Sequence, residues 1–425
     1  MYKESILDNG LRVILNHMPH MESASIGIWI GVGSRYEDKN ISGISHFLEH
    51  IVFKGTSNRS SRKIKEEIEG RGGTLNGFTS EEITCYLARL SSRHAGIAID
   101  VLLDMILNAS LKNPDVELER KVIMEEIKMY HDLPTHHIHD LLSETMWPEH
   151  PLGLPVSGDI KTVEAITRED ILKYKRNHYA PKRIVVVVSG RFDSRCILKK
   201  IDAMFRDVNH NGIDSDILPF KSTQSGPKVK ILNKDTAQTR LCIGFHSPGR
   251  MHKDRFVLAL LHVILGANMS SRLFEIVREK RGLAYDIGTE IKKFNDTGAF
   301  VINVGLDHSK VIAALKILVK ELEKIKHNLV GMDELRRSKE YMTTQLSLML
   351  EDTMEHMLWV GEHAITTGKI PSKREIFRKI ESITASDLQR LSREIFRSIN
   401  TNVALIGPIK DEEKENILEE LQNLR

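Results

Sequence analysis

The chain lacks most of what would mark a disulfide scaffold, a membrane protein or a nucleic-acid binder. It has three cysteines in 425 residues, Cys85, Cys196 and Cys242. None is paired at a CxxC or similar spacing, which excludes a disulfide framework and a cysteine metal site, so all three read as buried, reduced thiols. The longest clean aliphatic run, Ile184 to Val188, is a fraction of the roughly 20 residues a bilayer-crossing helix needs, and reads as a buried strand. Charge of one sign is also missing. With 61 basic and 58 acidic side chains the net charge is +3, which gives no broad field for nucleic acid or an anionic membrane. The start, Met1-Tyr2-Lys3-Glu4-Ser5, is polar and lacks the apolar core of a signal peptide, so a cytoplasmic location is the expectation.

What is present is length and an internal repeat. A chain of 425 residues, 41% of them hydrophobic, is too long for one ordinary core and predicts two or three domains. Thr384 lies 217 positions after Thr167, as does Asp387 after Asp170 and Gly407 after Gly190; Gly27 and Gly244 share the offset. In each copy a threonine stands at a helix N-cap position and an apolar run closes the unit as a strand. A period this long implies a duplicated domain and not a solenoid. The polar, turn-rich stretch from Asp207 to Pro227 reads as the linker, giving domains 1–206 and 228–425. Asp8-Asn9-Gly10 reads as a hairpin turn. Strands then precede the predicted helices at 44–53, 63–69 and 92–107, with 72–87 returning to strand. That grouping favours an α+β fold of two related domains, each a mainly antiparallel sheet with helices packed on one face, over a doubly wound parallel sheet.

The chemistry is concentrated at His46-Phe47-Leu48-Glu49-His50. Histidines four apart project from one face of a helix and can bind one tetrahedral ion. Glu49 neighbours that face, where it can act as a general base outside the ligand set. The pattern HxxEH is the signature of the inverted zincins. The plainer reading is a surface histidine pair, but this helix is apolar, and histidine and glutamate buried in it would be costly without a metal or charged partner. A catalytic zinc site needs a third protein ligand and an open position. The predicted helix 116–129 offers Glu117, Glu119, Glu125 and Glu126, with Glu119 and Glu126 two turns apart on one face. Spacing alone does not rank these four, and an ordinary solvated acidic face is the alternative. His136, His137 and His139 crowd near Asp140, but Pro134 suggests a turn there and the grouping reads as incidental.

Two stretches, Gly43-Ile44-Ser45-His46-Phe47-Leu48-Glu49-His50-Ile51-Val52-Phe53-Lys54-Gly55-Thr56 and Glu119-Arg120-Lys121-Val122-Ile123-Met124-Glu125-Glu126, resemble the insulinase/pitrilysin family of zinc peptidases. The resemblance spans nearly the whole chain and is closest to the branch of the mitochondrial processing peptidase β subunit and its bacterial relatives. It implies zinc held by His46, His50 and Glu126, Glu119 as the acidic residue linked to the site, and Glu49 as base. Gly73 to Ser80 resembles the family's substrate-binding edge strand, which implies peptide pairing beside Asn76 and Gly77; alanine is common in the family where Gly77 stands. Met269 to Phe274 and Val277 to Tyr285 also resemble the family. Arg278 and Tyr285 match its substrate-side pair, implying contacts to peptide carbonyls and, from Tyr285, a hydrogen bond to the tetrahedral oxyanion. Read without the resemblance, they are a helix-surface cation and a strand residue.

One repeat after the metal motif stands Leu261-His262-Val263-Ile264-Leu265, so one zinc per chain is expected. The resemblance implies extended or unfolded peptide substrates and a homodimer, or a heterodimer with a related subunit. The competing readings are a non-catalytic scaffolding subunit, against which the intact ligands and base argue, and a zinc hydrolase acting on another bond.

Overall fold

The computed structural model describes residues 2–208, 212–213, 217–410 and 412–424. Positions 209–211 and 214–216 of the stretch read as a linker lie outside the described residues. The chain forms two compact units. The first comprises 1–128, 154–218 and 347–370, and the second 129–153, 219–346 and 371–425. The units therefore do not follow chain order, since each takes one segment from the opposite half.

The first unit is built on a six-stranded sheet. Its strands are β1 (Lys3–Ile6), β2 (Arg12–His17), β3 (Ser23–Ile30), β4 (Thr74–Thr79), β5 (Thr84–Ser91) and β6 (Ile184–Gly190), in the order β1-β2-β6-β3-β5-β4. Only β2 and β6 run parallel; the other neighbours are antiparallel. The second unit repeats the plan with β7 (Lys228–Asn233), β8 (Thr239–Pro248), β9 (Ala284–Lys293), β10 (Thr297–Leu306) and β11 (Thr401–Gly407), in the order β7-β11-β8-β10-β9. Here the one parallel pair is β7 with β11. Dropping β1 makes the two orders identical, and the duplication read from the sequence is present. The repeated helices span Arg168–His178 and Ala385–Ile395. Thr167 and Thr384 cap them, each in a reciprocal box with the aspartate three residues on, which satisfies two otherwise free backbone donors at each helix start.

Side-chain alternation along the strands explains why both sheet faces are apolar. In the first unit Val13, Leu15, Ile28, Val186 and Val188 join the main helical layer. That layer contains α1 (Ile44–Val52), α2 (Ser61–Ile68), α3 (Ala95–Asn108) and part of α4 (Asn113–Asp132). Ile14, Trp29, Cys85, Val185 and Val187 point the other way, where Met357, Val360 and Ala364 of the helix Thr353–Thr367 cover them. The second unit does the same, covering Cys242, Val301 and Ala404 with Ile138, Leu142 and Met146 of α5 (Pro134–Met146). The expected helical layer on one face is thus joined by a single helix on the other.

Gly27 and Gly244 mark this equivalence. A Cβ on Gly27 would collide with Met357 Sδ, and one on Gly244 with Met146 Sδ, so each glycine clears the seat for a methionine of the covering helix. Two smaller expectations are corrected. Pro134 opens α5 at its first position, where its missing N–H has no intrahelical partner to lose. Cys196 is exposed, unlike the buried Cys85 and Cys242, because it lies in the first turn of the amphipathic helix Ser194–Phe205, whose buried positions are Ile197, Ile201 and Phe205.

Candidate metal centre

Helix α1 carries the HxxEH residues, and its start is fixed by several devices. Gly43 precedes it at φ +94°, a left-handed conformation that favours glycine, and a Cβ there would come within 2.5 Å of the Ser157 carbonyl oxygen. The buried Glu37 carboxylate accepts the Gly43 and Ser45 backbone N–H groups, both at 2.7 Å. This is a cap supplied from six and eight residues upstream. Phe47, Leu48, Ile51 and Val52 bury one side of α1 in the core. His46 and His50 are left together, their ring centroids 4.5 Å apart.

Across from them α4 presents Glu126. Its Oε2 lies 3.4 Å from His50 Nε2 and 3.9 Å from His46 Nε2. Among the described residues, His46, His50 and Glu126 are the cluster whose ligand atoms converge on one point, all within 4.8 Å of one another. Zinc bonds of 2.0–2.2 Å in tetrahedral geometry place ligand atoms about 3.3–3.6 Å apart, and the two Glu126 Oε2 separations, 3.4 and 3.9 Å, lie close to that spacing, so the donor set suits that ion. Glu119, two turns before Glu126, accepts the His50 Nδ1–H at 3.0 Å. With Nδ1 committed to Glu119, Nε2 is the nitrogen available to a metal, the arrangement a histidine ligand requires. Lys54 forms an ion pair with the other Glu119 oxygen. The remaining two acids are surface groups, Glu117 bonded to Arg120 and Glu125 to Lys128.

Electrostatics follow from this packing. Burial pushes His46 down to about 3, helped by the neighbouring His50, so its imidazole is neutral across the physiological range. Burial works in the same direction on His50, but the Glu119 hydrogen bond and the charges of Glu49 and Glu126 outweigh it and raise its pKa. Glu49 is only 8% exposed, and burial pushes its carboxyl up to about 7, with His50 opposing and Glu126 reinforcing. A carboxyl poised near neutrality suits a group that takes up and returns a proton. Strand β4, the free edge of its sheet, lies directly against Glu49. A Cβ on Gly77 would come 2.8 Å from Glu49 Oε1 and 3.2 Å from the Phe53 ring. Asn76 is exposed on the same strand, and its Oδ1 accepts the Gly77 N–H at 2.8 Å.

Arg278 and Tyr285 belong to the second unit. Arg278 sits in a π-helical turn, Phe274–Glu279, with its guanidinium 4.7 Å from the centre of the Phe274 ring. Tyr285 lies on β9, the edge of its sheet, and is 72% exposed. Reading of the sequence assigned nothing to Glu37 or Lys54. Glu37 has no capping-box spacing to α1, and the partner of Lys54 is 65 positions away.

The model of the insulinase family, peptidase family M16, matches residues 12–160, and that of the peptidase M16 inactive domain matches residues 165–342. The uncharacterized zinc protease YmxG of Bacillus subtilis is 35% identical over 408 residues, covering 96% of this chain and 98% of that protein. The chain belongs to the insulinase family of peptidases. An uncharacterized zinc protease of Streptomyces coelicolor is 33% identical, covering 98% of this chain and 91% of the relative. In fold, the crystal structure of a protease from Helicobacter pylori superposes with a TM-score of 0.90 at 22% identity, over 96% of this chain and 99% of that one. The family's division into a first domain and an inactive second one agrees with a metal cluster on residues of the first half alone. No helix among the described residues is long and apolar enough to cross a membrane.

Proposed function

We infer that the chain is a zinc-dependent endopeptidase. The observation that carries this reading is the convergence of His46 Nε2, His50 Nε2 and Glu126 Oε2 beside a buried Glu49 that is not needed as a ligand. The relatives named as zinc proteases support it. One zinc per chain is the stoichiometry proposed, and those three residues would hold it. Bound zinc supplies Lewis acidity, polarising the scissile carbonyl and lowering the pKa of a coordinated water to about 7.

The chain's own groups do the rest. Glu49 accepts the proton of the attacking water and returns it to the leaving amine, a role open to a carboxyl that lies beside the cluster and is not one of its ligands. Glu119 orients His50 through Nδ1. The free edge of β4 suits an extended peptide pairing by backbone hydrogen bonds, which places the substrate beside Asn76 and Gly77. A peptide bound that way must lack competing structure of its own, so extended or unfolded segments are the substrate class. Arg278 and Tyr285 are assigned to peptide carbonyls and to the tetrahedral oxyanion, on their match to the family's pair and the exposure of Tyr285.

The finer placement belongs to the same proposal. It comprises the bacterial branch related to the mitochondrial processing peptidase β subunit, a catalytic domain at 1–206, a linker at 207–227, a metal-free domain at 228–425, a cytoplasmic site of action, and a homodimer or a heterodimer with a related subunit. The test is Glu49→Gln, which keeps the shape and removes the titratable group. It should bind zinc at the wild-type stoichiometry while peptide turnover falls by about 10²–10⁴-fold, the usual contribution of a general acid–base group. Peptide cleavage at the wild-type rate by the zinc-loaded variant would remove Glu49 from this role.

A further inference from the structure

We propose that Lys54 is a positioning residue for the metal centre, fixing the aim of His50 by clamping Glu119 from the side opposite the imidazole. The inference rests on the reading of His46, His50 and Glu126 as zinc ligands and extends it to a residue beyond that set.

Glu119 is buried, its side chain 4% exposed, and an ionised carboxylate in that position is costly unless its oxygens are satisfied. One oxygen takes the His50 Nδ1–H and the other is paired with the Lys54 ammonium. With a hydrogen bond on one oxygen and an ion pair on the other, rotation of the carboxylate is restricted. The direction in which it accepts from His50 is then fixed, and with it the direction of Nε2 on the far side of the ring, 3.4 Å from Glu126 Oε2. Removing the ammonium leaves Glu119 tethered through one oxygen and free to rotate about that contact.

The backbone of Lys54 is suited to the task. Its N–H bonds to the Ile51 carbonyl at 3.1 Å, which continues the last turn of α1. Gly55, at φ +135°, then turns the chain away. The loop beyond is tied to α3 and its C-terminal end: Thr56 Oγ1 donates to Asp104 at 2.7 Å, Ser57 N–H to the Asn108 carbonyl at 3.0 Å, and Ser110 N–H to the Gly55 carbonyl at 3.0 Å. Lys54 is therefore anchored on both sides in sequence, and its side chain keeps partial exposure, 29%, so replacing it removes little core packing.

The experiment is a zinc titration in competition with a chromophoric chelator, on the full chain carrying Lys54→Met, Lys54→Arg, Glu119→Gln, and Lys54→Met with Glu119→Gln. Circular dichroism of the apo forms is recorded alongside. Lys54→Met should fold and lose about 10- to 100-fold in zinc affinity, the usual effect of losing a group that supports a ligand. Lys54→Arg should recover most of that loss. In the Glu119→Gln background, Lys54→Met should cause no further loss, because Lys54 acts through Glu119. Wild-type affinity in Lys54→Met would overturn the proposal. So would losses that multiply in the double variant, or a Lys54→Met chain that fails to fold, since Lys54 would then serve the fold and not one imidazole. A wild-type chain that binds no zinc would instead sink the ligand assignment itself, a result distinct from all of these.

Discussion

The loop that follows the metal helix depends on one buried carboxylate, and Asp104→Ala should unfasten it. Asp104 is 1% exposed. It accepts from Thr56 Oγ1 at 2.7 Å, Asn58 Nδ2 at 2.6 Å, Asn108 Nδ2 at 2.8 Å and Arg59 Nη1 at 2.8 Å. Removing one partner of a buried charged pair ordinarily costs about 3–5 kcal/mol. Arg59 keeps Asp100 and Glu67 as partners, so its charge is not stranded, and the lower end, about 3 kcal/mol, applies. For a unit of this size that is roughly 6–12 °C in melting temperature.

The sign with pH follows from the Asp104 pKa. Burial raises it, but the hydrogen bonds from Thr56, Arg59, Asn108 and Asn58 outweigh burial and leave it below the usual aspartate value of 3.8. A lowered folded pKa gives stability that is full above the unfolded value and is lost as the pH falls through the folded one. The gap between wild type and Asp104→Ala should therefore be constant from neutral pH down to about 4 and narrow below it. Urea unfolding followed by tryptophan fluorescence and circular dichroism measures both. A loss under about 1 kcal/mol at pH 7, or a gap that widens in acid, would refute the reasoning.

Two further outcomes are expected. Met357→Ala empties a fully buried site against Gly27 and should cost about 2–5 kcal/mol in denaturant unfolding. Gly77→Ala puts a methyl group 2.8 Å from Glu49 Oε1; it should lower kcat severalfold with zinc stoichiometry unchanged, which steady-state kinetics and metal analysis together report.

How far the sequence can be read depends on whether an interaction is local. The capping boxes at Thr167 and Thr384 are short-range, so the residue pattern reveals them, and their shared offset reveals the duplication. The HxxEH spacing is equally local. Choosing among Glu117, Glu119, Glu125 and Glu126 needed either the family resemblance or the structure, because one helix carries all four and only the packing of α4 against α1 decides which face meets the histidines. The covering helices were illegible for a related reason. The pattern of α5 shows that Ile138, Leu142 and Met146 need burial, but not that they find it on the sheet of the later half. Pro134 has two readings, turn or first helical position, and only the backbone distinguishes them. Lys54 and Glu37 act through partners that no spacing rule links to them.

The most direct test of the central claim is metal content measured together with cleavage of a quenched, mixed-sequence peptide library by the purified chain, with and without a chelator. The account predicts about one zinc per chain, cleavage abolished by the chelator, and cleavage restored by zinc. A chain without zinc that still cleaves, or cleavage indifferent to the chelator, would contradict it.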